Sequence, residues 1–354
     1  MKAVLTYRER ETLPAVRRLA VTFSAVAALH GVVLALLAFS LSTNTSPLSL
    51  GLPITAYLAG VKHSYDWDHI AAIDNSTRRF AAQGRAPVSV GFAFSMGHSM
   101  VVVVLAGVLV VSGAGIMKNL LNDGSAANFV LSLTGASVSA LFLLTIGVYN
   151  AAAFRRTVVL YRRVKGGAHV TREGLAPTGL IARMLDKPLS RVKRPRDIFV
   201  LGFLFGLGFD TASTIAFLLL TATAALAGIS PAALMTLPLG FMAAMTLCDT
   251  VNGVAMMKMY RSAVVHPARR IGFNMVITGV SAASALFISA ITISGILHRV
   301  LGLTDPVTTF LAELDLGHAG LGLVALLLVI WAAHTWARRA GEATATTSRR
   351  NPRA

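Results

Sequence analysis

Long apolar runs separated by short polar connections dominate the chain. Eight runs each contain the ~20 apolar residues that a helix needs to span a bilayer. The first run is too long for the apolar core of a signal peptide, so we interpret it as a retained helix. The pattern therefore predicts an all-α, polytopic integral membrane protein with eight transmembrane helices. The runs cover residues 18–41, 50–77, 88–113, 127–153, 197–228, 231–260, 270–297 and 316–337.

The composition supports this class and excludes others. Hydrophobic residues make up 55% of the 354-residue chain and charged residues only 13%, whereas soluble domains carry about 25% charged residues. A soluble two-domain protein of this length would need more polar surface. The chain has a single cysteine, Cys248, which excludes a framework of intrachain disulfides.

The distribution of basic residues predicts the topology. The net charge is +17, and alternate connections together hold 29 Lys and Arg residues against 2 in the others. Basic residues accumulate on the cytoplasmic side of membrane proteins, so both termini are predicted to be cytoplasmic (N-in/C-in). The chain is then a multi-pass protein of the cell membrane. The basic charge is a topology signal, and we expect no nucleic acid partner.

The longest connection divides the chain into two halves of one membrane domain. Residues 1–153 hold four predicted helices, 154–196 form a basic cytoplasmic loop, 197–338 hold four more helices, and 339–354 are a cytoplasmic tail. The sequence has no G-x-x-x-x-G-K-[ST] motif, and no ATPase subunit is evident. Transport by this chain would therefore be passive, secondary or driven by a separate partner.

Aspartates interrupt runs two, five and six, and His98 interrupts run three. Each aspartate costs ~2.5–3.5 kcal/mol at mid-bilayer, so it needs a partner, a water-filled cavity or a bound ion. The groups in runs two, three, five and six lie ~12–21 Å from the predicted cytoplasmic helix ends at ~1.5 Å per residue. A similar depth on four helices predicts a single intramembrane site, which is typical of secondary transporters. The groups at this depth are His63, Asp68, His69, His98, Asp210 and Asp249, and run two also holds Asp66 and Asp74.

The second run holds the densest group of these residues. If the run is one continuous helix, His63, Asp66, His69 and Asp74 share a broad polar face at ~100° per residue. Asp68 lies apart from them, which indicates either a second polar neighbour or a local break in the helix. Imidazole nitrogens together with carboxylate oxygens suit Ni, Co, Zn, Cu or Mn. The run therefore predicts a site for a divalent metal.

These motifs resemble those of the nickel/cobalt transporter (NiCoT) family. The second-helix signature of that family is similar to His63-x4-Asp68-His69 followed by Ile-Ala-Ala-Ile-Asp-Asn, and its third-helix motif to Gly97-His98-Ser99. Leu207-Gly-Phe-Asp210-Thr-Ala and Asp249-Thr250 resemble the motifs of its fifth and sixth helices. The resemblance extends over all eight predicted helices.

The resemblance implies a high-affinity permease for Ni²⁺ and/or Co²⁺. The metal is then the transported substrate, no cofactor is permanently bound, and the lipid bilayer is the other partner. It assigns metal recognition to seven residues, which are His63, Asp66, Asp68, His69, His98, Asp210 and Asp249. The residues expected to surround these ligands are Asp74, Asn75, Ser99, Thr211, Thr214, Thr250 and Asn252.

Two positions depart from the family pattern. Thr214 stands where a glutamate is common in the family, and Asn252 stands where a second aspartate is common. Both positions lie one turn from an aspartate, since Asp210 and Thr214 are i and i+4, and Asp249 and Asn252 are i and i+3. A less negative site should bind a dication more weakly and release it more readily.

Other functions stay open at this stage. The same site could export nickel or cobalt rather than take it up. His63-x4-Asp68 also matches the His-x4-Asp dyad of lipid acyltransferases, in which a carboxylate orients an imidazole base. A membrane-embedded metalloenzyme could use the same ligands. An acyltransferase dyad normally lies at the membrane surface, whereas this one lies inside an apolar run, so we expect a transporter and not an enzyme.

Overall fold

The structure is a computed structural model, and its described residues are entirely helical where they are regular. It describes residues 13–43, 48–82, 86–112, 125–165, 194–207, 221, 224, 229–262, 267–314, 322–323, 325–333 and 336. The all-α prediction is confirmed for these residues. Their main helices are α1 (Ala15–Thr43), α2 (Leu48–Ser64), α3 (Trp67–Ala82), α4 (Val90–Ser112), α5 (Ala126–Lys165), α6 (Pro195–Gly206), α7 (Pro231–Ser262), α8 (Pro267–Leu301) and α9 (Pro306–Ala312).

Five helices among the described residues are long and apolar enough to cross a membrane. This number agrees with a polytopic membrane protein. Much of the fifth and eighth predicted runs lies outside the described residues, so the expected total of eight stays a prediction. The five spans are Ala15–Ser42, Val90–Val108, Ala126–Val159, Pro231–Met259 and Met275–Leu301.

Helix α7 lies at the centre of the helix packing and contacts α1, α2, α3 and α4. At the crossing of α4 and α7, a β-carbon on Gly91 would overlap the backbone carbonyl oxygen of Asp249. A β-carbon on Gly97 would likewise overlap the carbonyl oxygen of Phe199 on α6. Small residues allow helices in membranes to approach this closely. The two glycines therefore allow α4 to pack closely against α7 and α6 in the turns that lead to His98.

The second apolar run forms two helices, so the expectation of one continuous helix over residues 50–77 is wrong. Helix α2 ends at Ser64 and α3 begins at Trp67. In the turn between them, the backbone N–H groups of Tyr65 and Asp66 donate to the carbonyl oxygens of Lys62 and His63, at 3.1 and 3.0 Å. The alternative of a local break is confirmed. Acidic side chains stabilise helix N-termini, and Asp68 lies in the first turn of α3.

Helix α5 continues beyond the predicted membrane boundary. The apolar pattern predicted a helix that ends at residue 153 and a loop over 154–196, but α5 extends to Lys165. Residues 195 and 196 already belong to α6, and 166–193 lie outside the described residues. Hydropathy marks the boundary between lipid and water, whereas arginine and leucine also favour a helix in water.

Candidate metal centre

Three imidazoles from three helices meet inside the protein. His63 lies at the end of α2, His69 at the start of α3 and His98 within α4. One ring nitrogen from each lies within 4.8 Å of the other two, and all three residues are buried. The Nε2 atoms of His63 and His98 are 3.0 Å apart. Because metal–nitrogen bonds of ~2.0–2.1 Å place neighbouring ligands about 3 Å apart, this spacing suits one shared metal ion.

Asp66 lies behind His63 rather than between the imidazoles. Its Oδ2 is 2.7 Å from Nδ1 of His63, and an ionised carboxylate accepts the Nδ1 proton. That hydrogen bond leaves the Nε2 lone pair of His63 directed toward His98. A carboxylate that orients a metal-binding histidine in this way recurs in metal sites and raises the basicity of the ligand. In this geometry Asp66 orients the imidazole of His63.

Asp249 supplies a buried carboxylate to the same centre. Its Oδ2 lies 3.5 Å from Nδ1 of His69, and both side chains are fully buried. Neither oxygen of Asp249 and neither nitrogen of His69 makes a hydrogen bond of normal geometry to another described residue. A buried polar atom without a partner costs about 1–3 kcal/mol. A cation bound between the two side chains would satisfy these atoms.

Aromatic rings form the walls of the cluster. The ring of Phe94 stands edge-on to His69 at 5.1 Å and is stacked on His98 at 6.1 Å. On another side, the ring centroid of Phe241 is 5.5 Å from that of His63. These rings exclude water from the imidazoles, and charges attract each other more strongly where water is excluded.

Asp68 and Asp74 each accept a hydrogen bond from another residue. Oδ1 of Asp68 accepts a hydrogen bond from the backbone N–H of His69 at 2.9 Å. Asp74 is buried and accepts a bond of 2.7 Å from the hydroxyl of Ser281 on α8. The expected common face of His63, Asp66, His69 and Asp74 therefore excludes Asp74. That expectation assumed an unbroken helix, and on α3 alone Asp74 is turned ~140° away from His69.

The other surrounding residues mostly serve helix packing. Asn75 accepts a short hydrogen bond from the side-chain amide of Asn150 on α5. Ser99 donates to the sulfur of Met245 at 3.5 Å, and Thr250 donates to a backbone carbonyl of its own helix at 2.6 Å. Asn252 is buried, and its Nδ2 has no hydrogen-bond partner among the described residues. The remaining predicted residues, Asp210, Thr211 and Thr214, lie outside the described residues.

Sequence reasoning missed the aromatic walls and the distant partners of α3. Phe94 lies one turn before His98, and this i to i+4 spacing is a signal that could have identified it. Phe241 lies on α7, eight residues before Asp249, and no local motif marks it. Asn150 and Ser281 are far from the signature in the chain, so only the packing of α5 and α8 reveals them.

Buried imidazoles and carboxylates that converge among long apolar helices are typical of one class of protein, the membrane proteins with an intramembrane ion site. Comparison with known proteins identifies the family within this class. Residues 49–337 match the family model described as High-affinity nickel-transport protein, and the chain belongs to this family. No solved structure matches the chain.

Curated relatives cover most of the chain. It is 37% identical over 323 residues to the nickel transporter NicT of Mycobacterium tuberculosis, covering 89% of this chain and 87% of NicT. It is 37% identical over 290 residues to the cobalt transport protein NhlF of Rhodococcus rhodochrous, covering 80% and 82%. It is 34% identical over 318 residues to the high-affinity nickel-transport protein NixA of Helicobacter pylori, covering 87% and 92%. The family consists of transporters, which decides against both enzyme alternatives.

Proposed function

We propose that this protein is a secondary transporter that carries Ni²⁺ and/or Co²⁺ across the cell membrane, most simply into the cell. The proposal depends above all on the three buried imidazoles, whose nitrogens lie within 4.8 Å of one another. Imidazole is a good ligand for both metals, and the cluster of described imidazoles includes no cysteine, which disfavours soft metals. His63, His69 and His98 are the proposed nitrogen ligands.

The carboxylates supply the negative charge that a dication needs. Asp66 orients His63, and Asp249 lies close enough to His69 to bind the metal or to orient that ring. Asp68 and Asp210 stay proposed members of the site on the family motif. Together these groups replace the water molecules and offset the hydration that the ion loses on entering the apolar interior.

The membrane potential can drive uptake without ATP. An inside-negative potential contributes ~2.3 kcal/mol per charge for each 100 mV, and so ~4.6 kcal/mol for a dication. A ratio of about three orders of magnitude between internal and external free metal corresponds to that energy, because ~1.4 kcal/mol equals tenfold. A permease with one intramembrane site would therefore concentrate metal in the cell.

The proposed topology has eight transmembrane helices with both termini in the cytoplasm. It is supported by the 29 basic residues in alternate connections against 2 in the others and by five described helices that can span the bilayer. A reporter fused after residue 175 tests it. Activity in the cytoplasm is expected, and activity only outside the membrane would contradict the assignment.

Uptake of radioactive nickel and cobalt by cells that express the protein tests the function. His63→Ala and His69→Ala should abolish uptake at unchanged protein level, because each removes one ligand and leaves the metal incompletely coordinated. Asp68→Asn should do the same if the family motif assigns this residue correctly. His30→Ala is the matched control, because His30 is also an intramembrane histidine but bonds to the Val26 carbonyl and the Tyr57 hydroxyl.

Normal uptake by both cluster variants at wild-type protein level would refute the proposed site. The direction of transport needs a separate measurement on cells loaded with metal before the protein is induced. Faster loss of metal from those cells than from control cells would favour export. Slower loss, together with accumulation from the medium, is the result expected of an uptake system.

A further inference from the structure

Helices α5 and α8 form a continuous pair that is longer than a bilayer is thick. At one end, the guanidinium of Arg299 donates to the Asn128 side chain at 3.3 Å. At the other end, the ring of Tyr161 lies against Gly272. The stretch of α5 between these contacts is about 50 Å long at ~1.5 Å per residue, whereas the hydrocarbon core of a bilayer is ~30 Å thick. One end of the pair therefore projects from the membrane.

The projecting end carries basic residues and no acidic ones. The sequence has no Asp or Glu between Asp123 and Glu173, and none between Asp249 and Asp305. Seven Lys and Arg residues fall in the last turns of α5 and the first turn of α8. They are Arg155, Arg156, Arg162, Arg163, Lys165, Arg269 and Arg270.

One face of the α5 end is exposed and combines positive charge with an apolar side chain. Arg155, Val159 and Arg162 follow one another at i, i+4 and i+7, which places them on the same face of the helix. All three are exposed, and Val159 is 52% exposed. A different face of α5 is occupied by α8, because Phe154 and Tyr161 lie against Gly279 and Gly272.

We infer that the face formed by Arg155, Val159 and Arg162 binds the headgroups of anionic phospholipids. The inference rests on the proposed topology, in which this end of α5 is cytoplasmic. Arg155 is the first charged residue after the apolar run over residues 127–153, so in this topology it lies at the depth of the headgroups. Arg162 is ~10 Å farther along the helix, and a long arginine side chain reaches back toward the interface while its stem covers apolar surface.

Lipid fits this face better than an acidic protein or a nucleic acid does. Clusters of basic residues directly cytoplasmic of a transmembrane helix attract anionic lipids. An exposed valine between two arginines suits a partner that is apolar and anionic at the same depth, as the interfacial region of a bilayer is. A soluble polyanion would gain nothing from Val159.

Binding of fluorescent phosphatidylglycerol to the purified full-length protein in detergent tests the inference. Arg155→Gln combined with Arg162→Gln should weaken binding by roughly fivefold for each arginine removed. The combined variant Arg155→Lys and Arg162→Lys should bind within about twofold of wild type, because anionic headgroups attract the ammonium of lysine as well as the guanidinium of arginine. Val159→Asn should weaken binding less than the double glutamine variant does.

The control removes the same charge elsewhere. Arg349→Gln combined with Arg350→Gln in the C-terminal tail should leave phosphatidylglycerol binding unchanged. The inference would be overturned if this control lost phosphatidylglycerol binding to the same extent. It would also be overturned if the Arg155/Arg162 glutamine variant bound like wild type, or if neutral phosphatidylcholine bound equally well. Stronger displacement by polyglutamate than by phosphatidylglycerol would also overturn it in favour of an acidic protein. Because no metal is present, the result is independent of whether the protein transports nickel or cobalt.

Discussion

The substitution Gly91→Ala should damage the metal centre although Gly91 carries no side chain that could bind metal. The new β-carbon would overlap the carbonyl oxygen of Asp249, which lies next to it on α7. Backbone atoms of a packed helix cannot turn away as a side chain can, so α4 and α7 must separate by about 1 Å or more to restore ordinary contact. Asp249 lies at the contact itself, and His98 lies two turns along α4.

A separation of that size is large for a metal site. Ligands must be held within ~0.5 Å of their productive positions, and loss of a supporting group typically costs 10–100-fold in metal affinity. We therefore expect Gly91→Ala to raise the half-saturating metal concentration at least tenfold. Calorimetric titration of nickel into the purified protein should show a loss of the same size.

Gly107→Ala provides the control for this experiment. Gly107 lies on the same helix, and a β-carbon there would meet nothing within 4 Å. This variant should keep wild-type uptake and affinity, and it should be slightly stabilised because alanine favours a helix over glycine. Wild-type affinity in Gly91→Ala would refute the argument from close helix packing. Equal losses in both variants would show that any added side chain on α4 is harmful.

Three further predictions concern charge and hydrogen bonding near the centre. Asp66→Asn should lower metal affinity about tenfold, and Asp66→Ala should lower it more, because only the asparagine amide can still accept a hydrogen bond from the imidazole. Nickel titration measures the affinity of both variants. Ser281→Ala should lower the free energy of unfolding by about 1–3 kcal/mol, because it leaves the buried Asp74 carboxylate without this donor. The control Ser284→Ala lies on the same helix and loses only a bond to the helix backbone, so it should lower the free energy of unfolding less. Asn252→Asp should raise metal affinity or shift the preference between nickel and cobalt, through a second carboxylate one turn from the first, and unchanged half-saturation for both metals would place this position outside the site.

The sequence predicted the chemistry of the centre better than its geometry. Charged groups are rare in apolar runs, so His63 and His69 were conspicuous. A similar depth then linked them to His98 and Asp249, and the structure brings all four together. Asp66 stays a predicted ligand. Its hydrogen bond to His63 depends on the course of the turn after α2, which helical periodicity does not describe.

Two features could not be predicted because local patterns do not encode them. The angular positions assigned to Asp74 and Asp68 assumed a continuous helix, and the break changes the angle of every residue after it. The bond between Asp74 and Ser281 joins residues 207 positions apart in the chain. Such pairs are set by how whole helices pack, and one sequence by itself contains no record of which helices are neighbours.

If the centre binds metal as proposed, the break between α2 and α3 makes it a hinged chelate. His63 is anchored on α2, which packs on α7 and α1, whereas His69 belongs to α3, which also contacts α4, α5 and α8. A chelate holds a metal tightly because losing one arm leaves the ion tethered by the others. Rotation of the backbone at Tyr65 and Asp66 would move one imidazole away from the metal without unwinding either helix. The remaining ligands would then bind the ion weakly enough to release it.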